Sequence, residues 1–273
     1  MSIDEIIRKS LEEDLGSGDI TTRYLDLEPA TDVAFMIAKA EGVIAGADLA
    51  RQVFKTVDND LKVTLYRKDG DAVKPGDEIM RIEGRPDGIL QAERTALNFL
   101  QRLSGIATKT NRMVQALSGT KTKLLDTRKT TPLLRNLEKY AVRVGGGFNH
   151  RHGLYDMIML KENHIRAAGG ITEAVNRIRR HNTAYKIEVE VTNAGEVAEA
   201  VACKVDRVML DNMSLKEIRA AVKSYKKHIE FEISGGVTEE NILSYAKTGV
   251  QYISSGSLTH SYKSLDISLL FKE

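Results

Sequence analysis

The sequence is short of cysteine and of long apolar runs, and each shortage excludes a class of protein. Its 273 residues include one cysteine, Cys203, which cannot form an internal disulfide. This excludes a disulfide-stapled secreted domain and is typical of a reducing compartment. No apolar run approaches the ~20 residues of a membrane-spanning helix, and the amphipathic, acidic N-terminus is unlike a signal peptide. We therefore expect a cytoplasmic protein without a membrane segment.

Several well-known site motifs are also missing. The sequence contains no Walker lysine loop and no GxGxxG fingerprint, which disfavours nucleotide hydrolysis and a Rossmann cofactor site. Its histidines lack the HExxH spacing of a zinc protease, so zinc is not expected.

The charge is nearly balanced overall but unevenly distributed. The formal net charge is +2, yet the stretch from Arg94 to Arg151 has twelve Lys and Arg against Asp126 and Glu138. A basic block is often a nucleic-acid surface, but this one has few aromatic residues for base stacking. We therefore expect a small, multiply charged anion as the ligand and no nucleic acid.

The first part of the sequence mixes helix-like and strand-like segments. Apolar residues at helical spacing predict helices over Ile3–Leu15 and Ala47–Val57, and Gly16–Thr21 is predicted as a turn. A long helix, predicted over Asp87–Leu117, is expected to lead into a second domain. The predicted strands are Val33–Ala40, Leu61–Tyr66 and Glu78–Ile82.

From Lys121 onward, strands and helices alternate, which predicts a parallel sheet because each return crossover needs a helix. An open doubly wound sheet and a barrel are both compatible with this order. A polar residue at the end of each strand favours the barrel, whose functional face lies there. The predicted strands are Lys123–Asp126, Met157–Lys161, Lys186–Val191, Arg207–Asp211, Glu230–Ser234 and Gln251–Ser254. The predicted helices are Leu133–Val144, Ile171–His181, Ala194–Ala202, Leu215–Lys223 and Glu239–Lys247.

Glutamates alternate with apolar residues in the strands Lys186–Val191 and Glu230–Ser234. The apolar side should pack on the helices, so the glutamates should face the barrel interior. Buried carboxylates require cationic partners or a metal. The available cations are Lys129, Lys161 and Arg207.

Two glycine-containing loops, Ser234–Gly236 and Ser254–Gly256, follow strands near the end of the barrel. Glycine allows close backbone approach, and exposed N–H groups bind phosphate, so these loops are candidate phosphate sites. Glu190 and Asp211 end successive strands. They form either a structural pair or a magnesium site beside phosphate oxygens.

These residues belong to motifs that resemble the quinolinate phosphoribosyltransferase family. The similarity runs in order through nearly the whole sequence, and small departures occur at Leu133, where glycine is commoner, and Glu162, where aspartate is commoner. The matching motifs are ERTALNFLQRLSGIAT from Glu93, DTRKTTPLLR from Asp126, GGGFNHRHGLYD from Gly145, LKENHI from Leu160, IEVEV from Ile187, MLDNM from Met209 and EISGGV from Glu232.

The resemblance implies an N-terminal α/β sandwich domain, residues 1–105, followed by an incomplete, open α/β barrel, residues 106–261. The C-terminal segment, about 262–273, is expected to pack back on the first domain. The active site would lie at the barrel mouth and be completed by the neighbouring subunit of a homodimer, with further assembly left open.

The implied reaction joins quinolinate to phosphoribosyl pyrophosphate and releases pyrophosphate and carbon dioxide, giving nicotinate mononucleotide for NAD biosynthesis. By resemblance, Lys129, Lys161, Glu190 and Asp211 are the catalytic residues. Glu190 and Asp211 would also hold Mg²⁺ through phosphates. The substrate-binding residues implied are Arg94 from the partner subunit, Thr127, Arg128, His150, Arg151, Lys161, Ser234, Gly235, Gly236, Ser255 and Gly256.

Three alternatives remain at this point. A molybdenum-transport-associated relative would share the barrel motifs but use another acceptor. A barrel aldolase would form a Schiff base on Lys161, which needs a desolvated lysine and conflicts with the surrounding acids and phosphate loops. A non-catalytic anion-binding module would bind without turnover.

Overall fold

The computed structural model describes residues 2–25, 27, 30–181 and 184–272. Its contacts divide the chain into two compact units. The first unit comprises the described residues up to 111, together with 132–145 and those from 262 onward. The second unit comprises residues 112–131 and the described residues of 146–261.

The elements of the chain up to the long helix are α1 (Ile3–Leu15), α2 (Ile20–Leu25), β1 (Asp32–Ala38), β2 (Gly42–Val43), α3 (Ala47–Val57), β3 (Lys62–Leu65), β4 (Ala72–Val73), β5 (Glu78–Gly84) and α4 (Pro86–Ala116). The following elements are β6 (Lys123–Leu125), α5 (Arg135–Val144), β7 (Ile158–Leu160), α6 (Glu162–Ala168), α7 (Ile171–Arg180), β8 (Ile187–Val191), α8 (Ala194–Ala202), β9 (Arg207–Asp211), α9 (Leu215–Tyr225), β10 (Glu230–Ser234), α10 (Ile242–Ala246), β11 (Tyr252–Ser254), α11 (Ser257–His260) and β12 (Ile267–Phe271).

The first unit is built on an antiparallel sheet with the strand order β12-β1-β5-β3. Alternate residues of β1, namely Ala34, Met36 and Ala38, are fully buried, as a strand with one face on a core requires. The C-terminal strand β12 pairs with β1 in this sheet.

The second unit is a six-stranded parallel sheet with the order β6-β11-β10-β9-β8-β7. Its two edge strands, β6 and β7, form no ladder with each other in the described part of the chain. Phe148, between them in sequence, makes an isolated bridge to Leu125. The predicted fold class, an N-terminal α/β sandwich domain followed by an incomplete, open α/β barrel, is therefore confirmed, with an antiparallel sheet in the first unit and a parallel sheet in the second.

Two segments group with a different unit from the one predicted. Residues 106–111 and 132–145, expected in the barrel, have their contacts in the first unit. The second segment contains α5, whose Glu138 is fully buried and forms an ion pair with Arg102 of α4. Gly145 then packs so closely that an added Cβ would lie 2.4 Å from the carbonyl oxygen of Ala107. Helical periodicity predicts that α5 buries a face but cannot say against which core.

Helix α2 was not predicted, since its first two residues fall in the segment Gly16–Thr21 that was predicted as a turn. The helix begins there because the Asp19 carboxylate accepts hydrogen bonds from the backbone N–H groups of Thr21 and Thr22.

No helix in the described residues combines the length and apolarity needed to cross a bilayer.

Candidate active site

A cavity of about 610 Å³ opens at the carboxyl ends of the parallel strands of the second unit. All of the predicted site residues that belong to this unit line it. They are Thr127, Arg128, Lys129, His150, Arg151, Lys161, Glu190, Asp211, Ser234, Gly235, Gly236, Ser255 and Gly256. We call this space the mouth cavity. Arg94 belongs to α4 of the first unit and is exposed.

The backbone of the loop after β6, which carries Arg128 and Lys129, is held by hydrogen bonds to neighbouring hydroxyl groups. The Thr127 hydroxyl accepts the Lys129 N–H at 3.1 Å, and the Lys129 carbonyl accepts the Thr259 hydroxyl at 2.8 Å. This loop leaves Lys129 exposed and Arg128 half-buried at the wall of the cavity.

Arg128 and Arg151 form a pair of like charges in the cavity. Burial, and secondarily the charge of Arg128, lower the pKa of Arg151. The buried Nε of Arg128 has no hydrogen-bond partner among the described residues. Two neighbouring guanidinium groups that repel each other favour a multiply charged anion as their ligand.

Asp126, at the end of β6, fixes the backbone that delivers His150 to the cavity. Its fully buried carboxylate accepts the His150 N–H at 2.8 Å and the Asn149 side-chain amide at 2.6 Å. Asp126 lies within a motif used for the family resemblance, but the sequence alone did not single it out. A buried aspartate just after a strand was the available signal.

Beneath the mouth cavity, four charged side chains form a group that we call the buried charge cluster: Glu188, Glu232, His150 and Arg207. The His150 Nε2 lies 3.0 Å from a Glu188 oxygen and 3.4 Å from a Glu232 oxygen. Arg207 Nη1 donates to Glu232 at 3.0 Å. The expectation that inward-facing glutamates pair with Arg207 is thus confirmed, whereas His150 was not foreseen as their partner.

Burial and charge set the protonation of this cluster. Burial, reinforced by the charge of Glu232, raises the pKa of Glu188. The pKa of Glu232 is lowered because the His150 hydrogen bond and the His150 and Arg207 charges outweigh burial. Burial opposes the His150 imidazolium, but hydrogen bonds and charges from both glutamates outweigh it and raise the pKa of His150 to about 9. These titrations are coupled, so the protons belong to the group rather than to one residue.

His150, Glu188 and Glu232 also have the composition of a metal site, since their ligand atoms lie within 4.8 Å of one another. The cluster does not require a cation, however. Arg207 already pairs with Glu232 at 3.0 Å, and a divalent ion would add positive charge beside it. We therefore treat the cluster as a proton-holding group.

Lys161 and Glu190, on neighbouring strand ends, form an ion pair across the wall of the mouth cavity. Glu190 is half-buried, and Lys161 is the N-cap of α6. Lys161 was predicted as a partner for a glutamate, and the structure confirms this. Lys129 forms no such pair within the described residues.

The Ser234–Gly236 loop depends on backbone conformations that favour glycine. Gly235 and Gly236 have φ values of +90° and +59°. A Cβ on Gly235 would lie 2.2 Å from the Asn212 side-chain oxygen. Asn212 itself is left-handed, with φ +53°, and donates to an Asp211 oxygen at 3.1 Å. The next helix, α10, begins six residues after Gly236, so any phosphate-binding N–H groups here come from the loop rather than from a helix start.

The Ser254–Gly256 loop packs against the loop after β6. A Cβ on Gly256 would lie 2.7 Å from the Lys129 side chain and 3.1 Å from His260. Ser255 and Ser257 share a hydrogen bond of 2.9 Å between their hydroxyls. The candidate phosphate-binding residues of this loop are thus adjacent to Lys129.

Comparison with known proteins gives consistent matches over the whole chain. Residues 19–104 match the family model "Quinolinate phosphoribosyl transferase, N-terminal domain", and residues 106–270 match the corresponding C-terminal domain. The chain is 43% identical to the probable nicotinate-nucleotide pyrophosphorylase (carboxylating) of Bacillus subtilis, over 98% of this chain and 93% of that protein. It is 42% identical to the chloroplastic nicotinate-nucleotide pyrophosphorylase (carboxylating) of Arabidopsis thaliana, over 97% and 81%.

A solved structure shows the same architecture. The nicotinate-nucleotide pyrophosphorylase of Francisella tularensis superposes with a TM-score of 0.95 at 44% identity, covering 99% of this chain and 96% of that one.

Proposed function

We infer that this chain, which belongs to the quinolinate phosphoribosyltransferase family, transfers a phosphoribosyl group from phosphoribosyl pyrophosphate to quinolinate with decarboxylation. The products are nicotinate mononucleotide, pyrophosphate and carbon dioxide, which places the enzyme among the pentosyltransferases of NAD biosynthesis. The observation that carries this reading is the mouth cavity, where the family's charged motifs converge on one space. The acceptor of a molybdenum-transport-associated relative is not favoured by the named relatives.

The paired guanidinium groups support a quinolinate subsite. Quinolinate carries two adjacent carboxylates, and a planar guanidinium can bind a carboxylate through two parallel hydrogen bonds. Arg128 and Arg151 repel each other, and a dianion between them offsets that repulsion. Lys161 also lines the cavity and adds to its positive surface.

The other side of the mouth cavity is suited to the phosphoribosyl group. Lys129 lies against Gly256, and Ser234–Gly236 provides a loop whose backbone can approach a phosphate closely. Glu190 on β8 and Asp211 on β9 lie between β10 and β7 in the strand order, and both line the cavity, so they can face the sugar ring.

Carboxylates in this position favour the transition state of the transfer. When pyrophosphate departs, positive charge develops on the ribose ring, and the fixed charges of Glu190 and Asp211 stabilise it. The pyridine nitrogen of quinolinate, held by the arginines, then bonds to the anomeric carbon. The cationic ring nitrogen stabilises the electron pair left on the ring carbon when the adjacent carboxylate leaves as carbon dioxide, and that carbon then takes a proton from water. The protein orients the two substrates and neutralises their charges, and the reaction needs no covalent nucleophile from the protein.

Glu190 and Asp211 fit a magnesium ion as a proposed cofactor. Both present oxygen ligands at the cavity wall, and Mg²⁺ prefers few carboxylates combined with phosphate oxygens and water. When bound, the ion neutralises the charge of the pyrophosphate. Within the protein, Glu190 already balances Lys161, so Asp211 is the carboxylate more available to a cation.

We also propose a homodimer in which Arg94 of each subunit completes the partner's site, and a cytoplasmic location. Support for the dimer comes from the exposure of Arg94, which leaves its guanidinium available to a second subunit. Support for the location comes from the single cysteine and the lack of a spanning helix in the described residues.

A turnover assay tests the reaction. The purified protein is incubated with quinolinate, phosphoribosyl pyrophosphate and Mg²⁺, and carbon dioxide and nicotinate mononucleotide are measured together. We expect both products in equal amounts. A folded protein that binds phosphoribosyl pyrophosphate but forms neither product would show that the acceptor is wrong.

A further inference from the structure

We propose that Glu188 and Glu232 of the buried charge cluster are positioning residues for quinolinate recognition. They act through His150, whose imidazole they hold and which in turn fixes the backbone of Arg151. The inference rests on the proposed function, since Arg151 is placed there in the quinolinate subsite.

The imidazole of His150 is held from two strands at once. Its Nε2 lies 3.0 Å from a Glu188 oxygen on β8 and 3.4 Å from a Glu232 oxygen on β10. Both glutamates are fully buried, and only 4% of the His150 side chain is exposed. Electrostatic attraction between an imidazole N–H and nearby carboxylates is strong in a buried site, so the two glutamates favour one orientation of the ring.

The other ring nitrogen fixes the next residue. The Arg151 backbone N–H donates to His150 Nδ1 at 2.7 Å, so Nδ1 is an acceptor and the proton that the cluster holds lies on the Nε2 side, between the ring and the glutamates. Arg151 is held again at the far end of its side chain, where Nη1 donates to the Met157 carbonyl at 3.1 Å. The position of the guanidinium therefore depends on the ring that the glutamates hold.

This geometry changes the role expected for His150. The family resemblance implies that His150 contacts quinolinate, yet both of its ring nitrogens lie within hydrogen-bond distance of protein atoms. Nδ1 accepts the Arg151 N–H, and Nε2 faces the two glutamates at 3.0 and 3.4 Å, so the ring has one favoured tautomer, with its proton on Nε2. His150 then serves recognition by orienting Arg151 rather than by donating to the substrate.

Arg207 anchors the cluster from below. Its Nη1 donates to Glu232 at 3.0 Å, and its guanidinium lies 3.8 Å from the centre of the Tyr252 ring. Glu188 has no ion pair with Arg207, and neither of its buried oxygens has a hydrogen-bond partner among the residues described, so its close charged contact is the 3.0 Å approach of His150 Nε2. The carboxylate of Glu188 therefore interacts mainly with His150. A substitution of Glu188 tests the contact with His150 more directly than a substitution of Glu232, which also pairs with Arg207.

The test compares three substitutions of glutamate by glutamine in the full enzyme. Glu188→Gln and Glu232→Gln keep the side-chain volume but remove the charge that holds His150. Glu173→Gln is the matched control, because Glu173 forms its ion pairs with Arg177 and Arg180 on the exposed face of α7 and has no contact with the buried charge cluster among the residues described. If Glu232→Gln fails to fold, Glu188→Gln carries the test.

Steady-state kinetics then separate positioning from simple destabilisation. We expect the KM for quinolinate to rise about 10-fold or more in both cluster variants, as the loss of a charge-assisted contact implies, while the KM for phosphoribosyl pyrophosphate stays within about two-fold. The control should leave both KM values within about two-fold of the wild type. Equal rises in both KM values, or no rise in either, would overturn the proposal.

A double-substitution cycle tests whether Glu188 acts through His150. Adding Glu188→Gln to His150→Ala should raise the quinolinate KM no further, because residues that act as one unit are not additive. Multiplying effects would show that Glu188 acts by another route and would overturn the inference.

A readout without turnover separates this inference from the proposed function. Nitrogen NMR of ¹⁵N-histidine-labelled protein, with His150 assigned by its loss in His150→Ala, should show an unprotonated Nδ1 and a change in that ring in Glu188→Gln. If the wild type does not turn over quinolinate, the proposed function fails, but this NMR result still supports the positioning of the His150 ring by Glu188 and Glu232. A His150 resonance indifferent to Glu188 overturns it.

Discussion

Replacing Arg128 by methionine removes one of the two like charges of the proposed quinolinate subsite while keeping most of the side-chain length. Arg128 is half-buried, its Nε is buried without a partner among the described residues, and its charge contributes to lowering the pKa of Arg151. In the ligand-free protein this guanidinium therefore contributes repulsion and little bonding. We propose that the Arg128 guanidinium contributes favourable energy only when quinolinate is bound.

The two effects of Arg128→Met should consequently have opposite signs. Losing a hydrogen-bonded charge pair with a quinolinate carboxylate costs about 1.5–3 kcal/mol, which corresponds to an increase of roughly 10- to 150-fold in the KM for quinolinate. Relief of the repulsion should raise the free energy of unfolding of the ligand-free protein by about 0–1 kcal/mol. At about 2–4 °C per kcal/mol, the melting temperature should stay constant or rise slightly.

The assay combines initial rates at varied quinolinate with thermal unfolding of the ligand-free protein. Arg128→Lys keeps the charge but loses the planar fork, so its KM should lie between those of the wild type and Arg128→Met. Arg177→Met, on an exposed ion pair with Glu173, is the matched control for removing an arginine. A loss of more than about 2 kcal/mol of stability in Arg128→Met would refute the reasoning, because it would reveal a structural partner for this side chain. A rise in the KM for phosphoribosyl pyrophosphate alone would instead move Arg128 to the phosphate side.

Three further predictions concern other parts of the chain. Leu133 has φ +68° and is 71% exposed, so Leu133→Gly should unfold at a higher denaturant concentration than Leu133→Ala, with a difference of about 1 kcal/mol, the reverse of the usual order. Gly235→Ala should raise the KM for phosphoribosyl pyrophosphate about 10-fold or more, since a Cβ would collide with Asn212 at a φ of +90°, whereas an unchanged KM would remove this loop from the phosphate site. Arg94→Ala should abolish most activity without unfolding, and mixing it with Lys161→Ala should restore part of the turnover; mixed dimers without any recovery would contradict the shared site.

The helices and strands that could be predicted are those with strong local signals. Helix α1 matches its predicted bounds because Ser2 caps its start, its apolar residues Ile6, Ile7 and Leu11 are buried at helical spacing, and Gly16 ends it. Helix α2 carried no such signal. Its six residues leave Ile20, Tyr24 and Leu25 exposed, so its apolar positions do not form a buried stripe.

The strand ends of the candidate site were predictable because parallel strands share one polarity. Residues at their carboxyl ends meet at one edge, so Lys161, Glu190 and Asp211 could be placed together without knowing any contact. Period-two alternation likewise placed Glu188 and Glu232 in the interior. Periodicity does not indicate which cationic side chain pairs with a buried carboxylate.

The partner of the glutamates was missed because His150 comes from a segment with no repeating backbone geometry. Its position is set by Asp126 and Asn149, through hydrogen bonds that depend on how the glycine-rich segment folds back along β6. A buried carboxylate must find a donor, yet a sequence offers many candidate cations and no distances. The charge balance of such a cluster is therefore a property of the folded barrel. That is also why a histidine marked by its motif as a substrate contact can instead orient the arginine beside it.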